Sequence, residues 1–202
     1  MRCTRRASSR LPPLRRSLRL PFAQFVRDEL IFGLLQALEG QLLSGNRTAP
    51  NLEGILTTTG VLNQAYATDL LTTTRKGITT LESAGLEPTG YVLSPEGWEK
   101  IELSRTSGSG ELEMLDSPVD RAARRMHGVP VGVAPSLAAG QGILLSRDSV
   151  FLRVDAGVQI RWSENVSDDF QKNQVRARAE VRAATQIQRP TGVVVLDLDA
   201  AA

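Results

Sequence analysis

Residues 175–188 alternate with period two. Val175, Ala177, Ala179, Val181, Ala183, Thr185 and Ile187 take the odd positions, and Arg176, Arg178, Glu180, Arg182, Gln186 and Gln188 take even ones. Only Ala184 blurs the pattern. A helix would scatter these arginines around its axis, whereas a strand gathers them into one row, opposite a row of small apolar residues. About 14 residues at a rise of 3.3 Å would span roughly 46 Å, far more than the usual five or six residues. A strand that long implies an extended sheet in an elongated subunit and argues against a compact enzyme core. Pro190 and Gly192 end it, and Val193 to Leu196 returns as a last strand.

The rest of the chain supplies both helices and strands, an α+β pattern. Phe22, Phe25, Val26, Leu30, Leu34, Leu38 and Leu42 recur at helical spacing, widened by Phe32, Leu35 and Leu43. Ser44-Gly45-Asn46 supplies the stop, with Gly45 suited to the left-handed position after a helix. A second helix is predicted over Thr68 to Ser83, with Leu70, Leu71, Ile78 and Leu81 inward and Gly85 ending it. Gly77 weakens it by about 1 kcal/mol relative to alanine. Tyr91 to Leu93 is a short strand, followed by a helix capped by Ser94, started by Pro95 and facing inward through Trp98 and Ile101. Residues 105–126 are low in apolar content and are expected as a mobile loop. Val129 to Val133 contains Pro130, which places it at a sheet edge or starts it at the proline. Gly142 to Leu145, Val150 to Val154 and Val158 to Trp162 are further strands.

Charge narrows the function. Seven of the 24 basic residues lie in the first twenty, which leaves 17 against 22 acidic residues, a net of −5 for the body. That sign does not suit general nucleic-acid binding, which needs clustered positive charge. The arginine-rich residues 1–22 are expected as a disordered leader or a misassigned start. Cys3 and His127 are the sole cysteine and histidine, so neither an intrachain disulfide nor a His/Cys zinc cluster can form. The longest apolar run, residues 30–38, is about half the roughly 20 residues of a membrane span.

No catalytic constellation emerges. Gly140-Gln141-Gly142 lacks the third glycine of a dinucleotide site and reads as a turn. Glu164, Asp168 and Asp169 lack the spacing of a calcium loop and read as a solvated acidic turn. Glu111, Glu113 and Asp116 read as a solvated face, and His127 as a packing or surface residue. The arginine row could meet phosphates, or carboxylates on adjacent strands or neighbouring chains. No catalytic, cofactor-binding or metal-ligating residue is therefore assigned, no cofactor is expected, and the chain is not expected to be an enzyme.

Several stretches, in order, resemble the C-terminal two-thirds of the major capsid proteins of tailed bacteriophages, the Hong Kong 97 fold shared with encapsulin shells. Glu39 to Asn46, then Thr48 and Asn51-Leu52-Glu53-Gly54-Ile55, are similar to that family's spine-helix exit. Leu93-Ser94-Pro95, Trp98 and Ile101 resemble its strand followed by an Asn-Pro-x-x-Trp helix. Gly128-Val129-Pro130-Val131 resembles its Trp-Gly-Leu-Pro-Val strand, with His127 in place of the tryptophan. Asp169-Phe170-Gln171-Lys172-Asn173, Glu180, Arg182 and Arg189-Pro190 resemble its peripheral-domain signature.

The resemblance implies a spine-helix remnant at 23–46, a mainly axial domain at 47–147 and a mainly peripheral domain at 148–202. It implies a structural subunit of a phage or prophage capsid, forming hexamers and pentamers that close into an icosahedral shell around DNA. Portal, scaffold or protease proteins would be further partners, with non-specific contact to packaged DNA and no membrane. Its place would be the virion, and the bacterial host cytoplasm during assembly. A truncated or frame-shifted prophage remnant is a further hypothesis, motivated by the composition break near residue 22. One family member joins an Asn to a neighbour's Lys with help from a Glu; Asn173 and Glu180 fall at matching positions. The Lys belongs to an extended loop before the spine helix that this chain lacks, so crosslinking is not expected. Arg47 stands where the family has a glycine, and a left-handed backbone there would cost about 1 kcal/mol. The alternatives are an encapsulin-like nanocompartment shell and, from another class, a nucleic-acid-binding module.

Overall fold

The structure is a computed structural model that describes residues 2–9, 16–104, 119–120 and 123–199, with side chains from Pro21 onward except at 119–120. Two sheets organise it. The smaller has three strands in the order β1 (Arg2–Ser9), β9 (Val175–Ile187) and β8 (Val150–Ser163), all antiparallel. The larger has seven, in the order β2 (Leu62–Gln64), β10 (Val193–Asp197), β7 (Gln141–Ser146), β3 (Pro88–Leu93), β6 (Val129–Val133), β5 (Arg125–Met126) and β4 (Val119–Asp120). It is mixed, with β2–β10 and β3–β6 parallel.

The long alternating segment is a strand, as its period demands. Ala177, Ala179, Val181 and Ala183 of β9 are buried against Leu30, Leu34 and Leu38 of helix α1 (Arg16–Ser44). Small residues on the strand let the helix approach closely, while leucines on the helix supply the volume. α1 is 29 residues long and starts earlier than the sequence indicates, with Pro21 inside it. Proline has no N–H to give the preceding turn, which is why a helix start after it is the natural expectation. Where residues 1–22 are expected as a leader without structure, Arg2–Ser9 pairs with β9 as an edge strand. Residues 1 and 10–15 lie outside the described residues.

β8 joins the two shorter alternating runs. Asp155 pairs with Arg182 and Gln159 with Glu180, so residues 156–158 face a single residue of β9. Ala156 and Gly157 take left-handed φ values of 51° and 69° to make this bulge. The two extra residues preserve parity, so Val154 and Val158 keep the same face.

The second core covers one side of the larger sheet. Helix α2 (Leu70–Ser83) buries Ile78 and Leu81, and helix α3 (Pro95–Glu102) buries Trp98 and Ile101, against Tyr91, Leu93, Leu144, Val194 and Leu196. α2 is capped by Asp69, whose carboxylate accepts from Thr72 N at 2.6 Å, and Gly85 follows it at φ +75°. α3 is capped by Ser94, which accepts from Gly97 N at 3.0 Å, as its sequence indicates. Pro130 is neither at an edge nor first in its strand: β6 lies between β3 and β5. Its two neighbours use different halves of it, with β5 pairing at 129–130 and β3 at 131–133, so the missing N–H falls outside the β3 ladder. Of the expected loop at 105–126, residues 119–120 and 125–126 are short strands, and 105–118 and 121–122 lie outside the described residues.

A third cluster ties the two sheets together. Leu43 at the end of α1 packs with Ile55, Ala134, Leu137, Ile143 and Val193. Thr185 of β9 donates to the carbonyl of Glu53 at 2.9 Å, and Glu39 accepts from Ser136 N at 3.1 Å. Gly45 does not take the left-handed conformation expected of it. It is buried, and a Cβ there would lie 2.3 Å from the carbonyl oxygen of Leu52. Glycine is needed there because two backbones touch: Gly54 N donates to Gly45 O at 2.9 Å. The left-handed residue is Arg47, at φ 58°.

Candidate interaction surface

The polar face of the three-stranded sheet is the most chemically distinctive surface among the described residues. Strand geometry aligns Arg176, Arg178, Glu180 and Arg182 on β9, and pairing sets Ser163, Arg161, Gln159 and Asp155 of β8 opposite them in that order. Arg161 thus faces Arg178 directly, an arrangement that is destabilising without a counter-charge. Arg178 lies 3.5 Å from Glu180, and Arg182 lies 4.0 Å from Asp155 with both side chains largely exposed. Arg153 donates to the Gln186 side chain at 3.0 Å. Arg161 makes no ion pair among the described residues. A shallow cleft of about 340 Å³ opens at the bulge, lined by Asp155, Gly157, Gln159, Arg161, Glu180 and Arg182.

The strongest pair closes the end of the β8–β9 hairpin. Arg176 Nη2 donates to Asp169 Oδ1 at 2.9 Å, and Arg176 Nε lies 2.6 Å from Oδ2. The second contact is close but off the hydrogen-bond line, so it counts as charge attraction alone. Asp169 is fully buried, which corrects the expectation of a wholly solvated acidic turn. The reason is that the next strand returns an arginine to the turn seven residues on, which sequence spacing alone does not show. Asp168 instead remains outside and pairs with Lys172, whose hydrogen bond holds its carboxyl below the ordinary value. No group of three or more acidic, histidine or cysteine side chains suited to a metal ion occurs among the described residues. Glu111, Glu113 and Asp116 lie outside the described residues.

Asn173 and Glu180 do not form one site within a chain. Asn173 is exposed in the turn before β9 at φ 51°, and Glu180 is half-buried in mid-strand. Seven residues of nearly extended chain separate them by about 20 Å. Gly140 stands in a turn at φ +77°, and Gln141 and Gly142 open β7, so that glycine pair punctuates a strand.

His127 is a packing residue at a turn, held at φ 52°. Its Nε2 lies 3.3 Å from Thr74 Oγ1. Burial pushes its pKa down, opposed by a hydrogen bond to the Leu71 backbone. Tyr91 is buried beside it and donates to the carbonyl of Thr74 at 2.9 Å.

A third feature was not singled out by the sequence. Phe25, Phe32 and Leu35 of α1, Trp162 of β8, and Val166 and Phe170 of the 164–174 loop are exposed. In α1 these positions fall within the expected stripe, but the sheet covers only the side through Leu30, Leu34 and Leu38.

Comparison with known proteins places this architecture. The sequence profile of the phage capsid family matches residues 17–198. The chain belongs to the phage capsid family. The major capsid protein of Enterobacteria phage HK97 is 30% identical over 180 residues, covering 84% of this chain and 45% of that protein. The chain therefore spans less than half the length of that curated relative. A Mycobacterium phage Adephagia structure superposes with a TM-score of 0.77 at 12% identity, covering 100% of this chain and 73% of that one. A Gordonia phage Cozz structure gives 0.74 at 16% identity, covering 100% and 70%. The fold is the α+β Hong Kong 97 capsid fold expected from the motifs. No described helix is long and apolar enough to cross a membrane.

Proposed function

We infer that this member of the phage capsid family is a structural, non-enzymatic subunit of a phage or prophage icosahedral capsid, acting by association with copies of itself. The observation that carries this reading is the family match over residues 17–198. In this reading residues 23–46 of α1 are the spine, 47–147 form mainly the axial domain and 148–202 mainly the peripheral domain, with β10 within that last stretch returning to the larger sheet. Hexamers and pentamers are the expected assemblies, packaged DNA is in non-specific contact, and portal, scaffold or protease proteins are further partners. The virion, and the host cytoplasm during assembly, are where it acts.

The physical support is the exposed apolar surface on α1 and β8 together with the arginine face. Both are surfaces that a lone subunit leaves half-satisfied and a neighbour would complete. Electron microscopy and light scattering of the purified chain test the reading. Hexamers, pentamers or shells support it; a compact monomer at all concentrations would sink assembly by this chain alone.

A further inference from the structure

Strand β1 pairs with one edge of β9 over its whole length, yet its residues match that edge poorly on both faces. Directly opposite residues of antiparallel strands share a face and are near neighbours, so like charges there are destabilising. The register sets Arg2 opposite Arg182 and Arg6 opposite Arg178. Arg178 already faces Arg161 on its other side, so a single row across the sheet holds an arginine position on each of its strands.

The other face of β9 carries Ala177, Ala179 and Val181, all buried in the cluster with α1. On β8 the register answers Ala177 and Ala179 with Trp162 and Ile160. On β1 it answers Ala177, Ala179 and Val181 with Ala7, Arg5 and Cys3. An arginine position in the middle of an apolar row breaks the alternation that a half-buried strand needs. What β1 brings to this edge is therefore its backbone ladder. With β1 lifted away, β9 would show an open edge from Val175 to Arg182. An open edge of that kind is a template for an extended segment of another chain.

We propose that β1 is a displaceable placeholder, and that the edge of β9 beneath it is a docking site for an extended, acidic segment of another polypeptide. The pairing prescribes the pattern of that segment. Carboxylates belong opposite Arg182 and Arg178, apolar β-branched residues opposite Val181, Ala179 and Ala177, and a hydroxyl or a cation opposite Glu180. A carboxylate opposite Arg178 also offsets the charge of the row shared with Arg161. The β1 of a second copy fits no better, since it brings the same arginines to the same positions. A nucleic acid has no peptide N–H with which to complete the ladder. Because β1 is tethered to the rest of its chain, it competes at a high effective concentration, and the incoming strand must win on fit. The docking follows from strand register and is independent of assembly into shells.

The probe is a labelled peptide, acetyl-Glu-Val-Thr-Val-Glu-Val-Ser-amide, added to the full-length chain and followed by fluorescence anisotropy. It should bind, and the same peptide with lysine at both glutamate positions should bind at least about tenfold more weakly. Arg178→Gln combined with Arg182→Gln should weaken the glutamate peptide to a similar degree. Trypsin should cut after Arg5 and Arg6 faster with the probe bound, because the displaced β1 comes free. Arg2→Glu combined with Arg6→Glu reverses the sign of β1 itself. That variant should melt about 2–4 °C higher than wild type and shut the probe out by at least about tenfold. Circular dichroism checks that every variant is folded. Absence of binding overturns the proposal, as does equal binding of the lysine peptide or of a scrambled glutamate peptide. So does binding that leaves trypsin cleavage unchanged, or an Arg2→Glu, Arg6→Glu chain that melts and binds as wild type does.

Discussion

The buried pair of Asp169 and Arg176 shows how one arginine of a row can differ from its neighbours. Arg182 has a loose, largely exposed partner of the kind that contributes little, and Arg178 lies 3.5 Å from the half-buried Glu180. Arg176 holds a carboxylate that has no contact with water. Arg176→Met would leave that charge buried and uncompensated. With the guanidinium 32% exposed, the expected cost is at the lower end of the range for broken buried pairs, about 3 kcal/mol, measurable by denaturant unfolding. Lys172→Ala, which removes the exposed partner of Asp168, should leave the unfolding midpoint unchanged. His127 offers a pH test. Burial holds its folded pKa below the ordinary value of about 6.5, so the unfolded chain takes up the proton first. Its effect is absent above that value, and stability falls as pH drops below it toward the folded pKa. His127→Gln should remove this part of the slope in melts between pH 7 and pH 5.

Elements follow their local signals closely, and the exceptions have a packing cause. Gly77 looks like a weakness in α2, yet a Cβ there would lie 2.6 Å from Leu196 Cδ2 of β10. Leu196 is fully buried, so the clash has nowhere to go. Gly77→Ala should therefore lower stability by about 1–3 kcal/mol despite alanine's better helix propensity, seen as a lower melting temperature. Ser94→Ala removes the cap of α3 and should cost about 1 kcal/mol in the same assay. β8 teaches the complementary point. Its two alternating runs are legible in the sequence, but their fusion into one strand of 14 residues depends on the left-handed pair Ala156 and Gly157.

In the whole molecule, α1 links two cores that share few contacts of their own. Its middle packs on β9 through Leu30, Leu34 and Leu38, and its end packs into the larger sheet through Leu43. Leu34 has no exposed surface, so Leu34→Ala should cost about 2–5 kcal/mol. The loss should fall on the three-stranded sheet. Amide exchange should quicken in β8 and β9 and change little in β3 and β7, which rest on the other core. Uniform acceleration across both sheets would show that the two unfold together.

Period-two and helical spacing, capping residues and ordered motifs carried most of the fold: the long strand, α2, α3 and the membership of the capsid family. These are local signals, set by backbone geometry within a few residues. Other features needed distant segments to meet. The burial of Asp169 requires Arg176 to fold back; the need for glycine at 45 and 77 comes from Leu52 and Leu196; β10 lies beside β7 and β2 although it follows β9 in the chain. The exposed rings of Phe170 and Trp162 belong to the same class. Exposure depends on what packs against a residue, and no spacing along the chain encodes that.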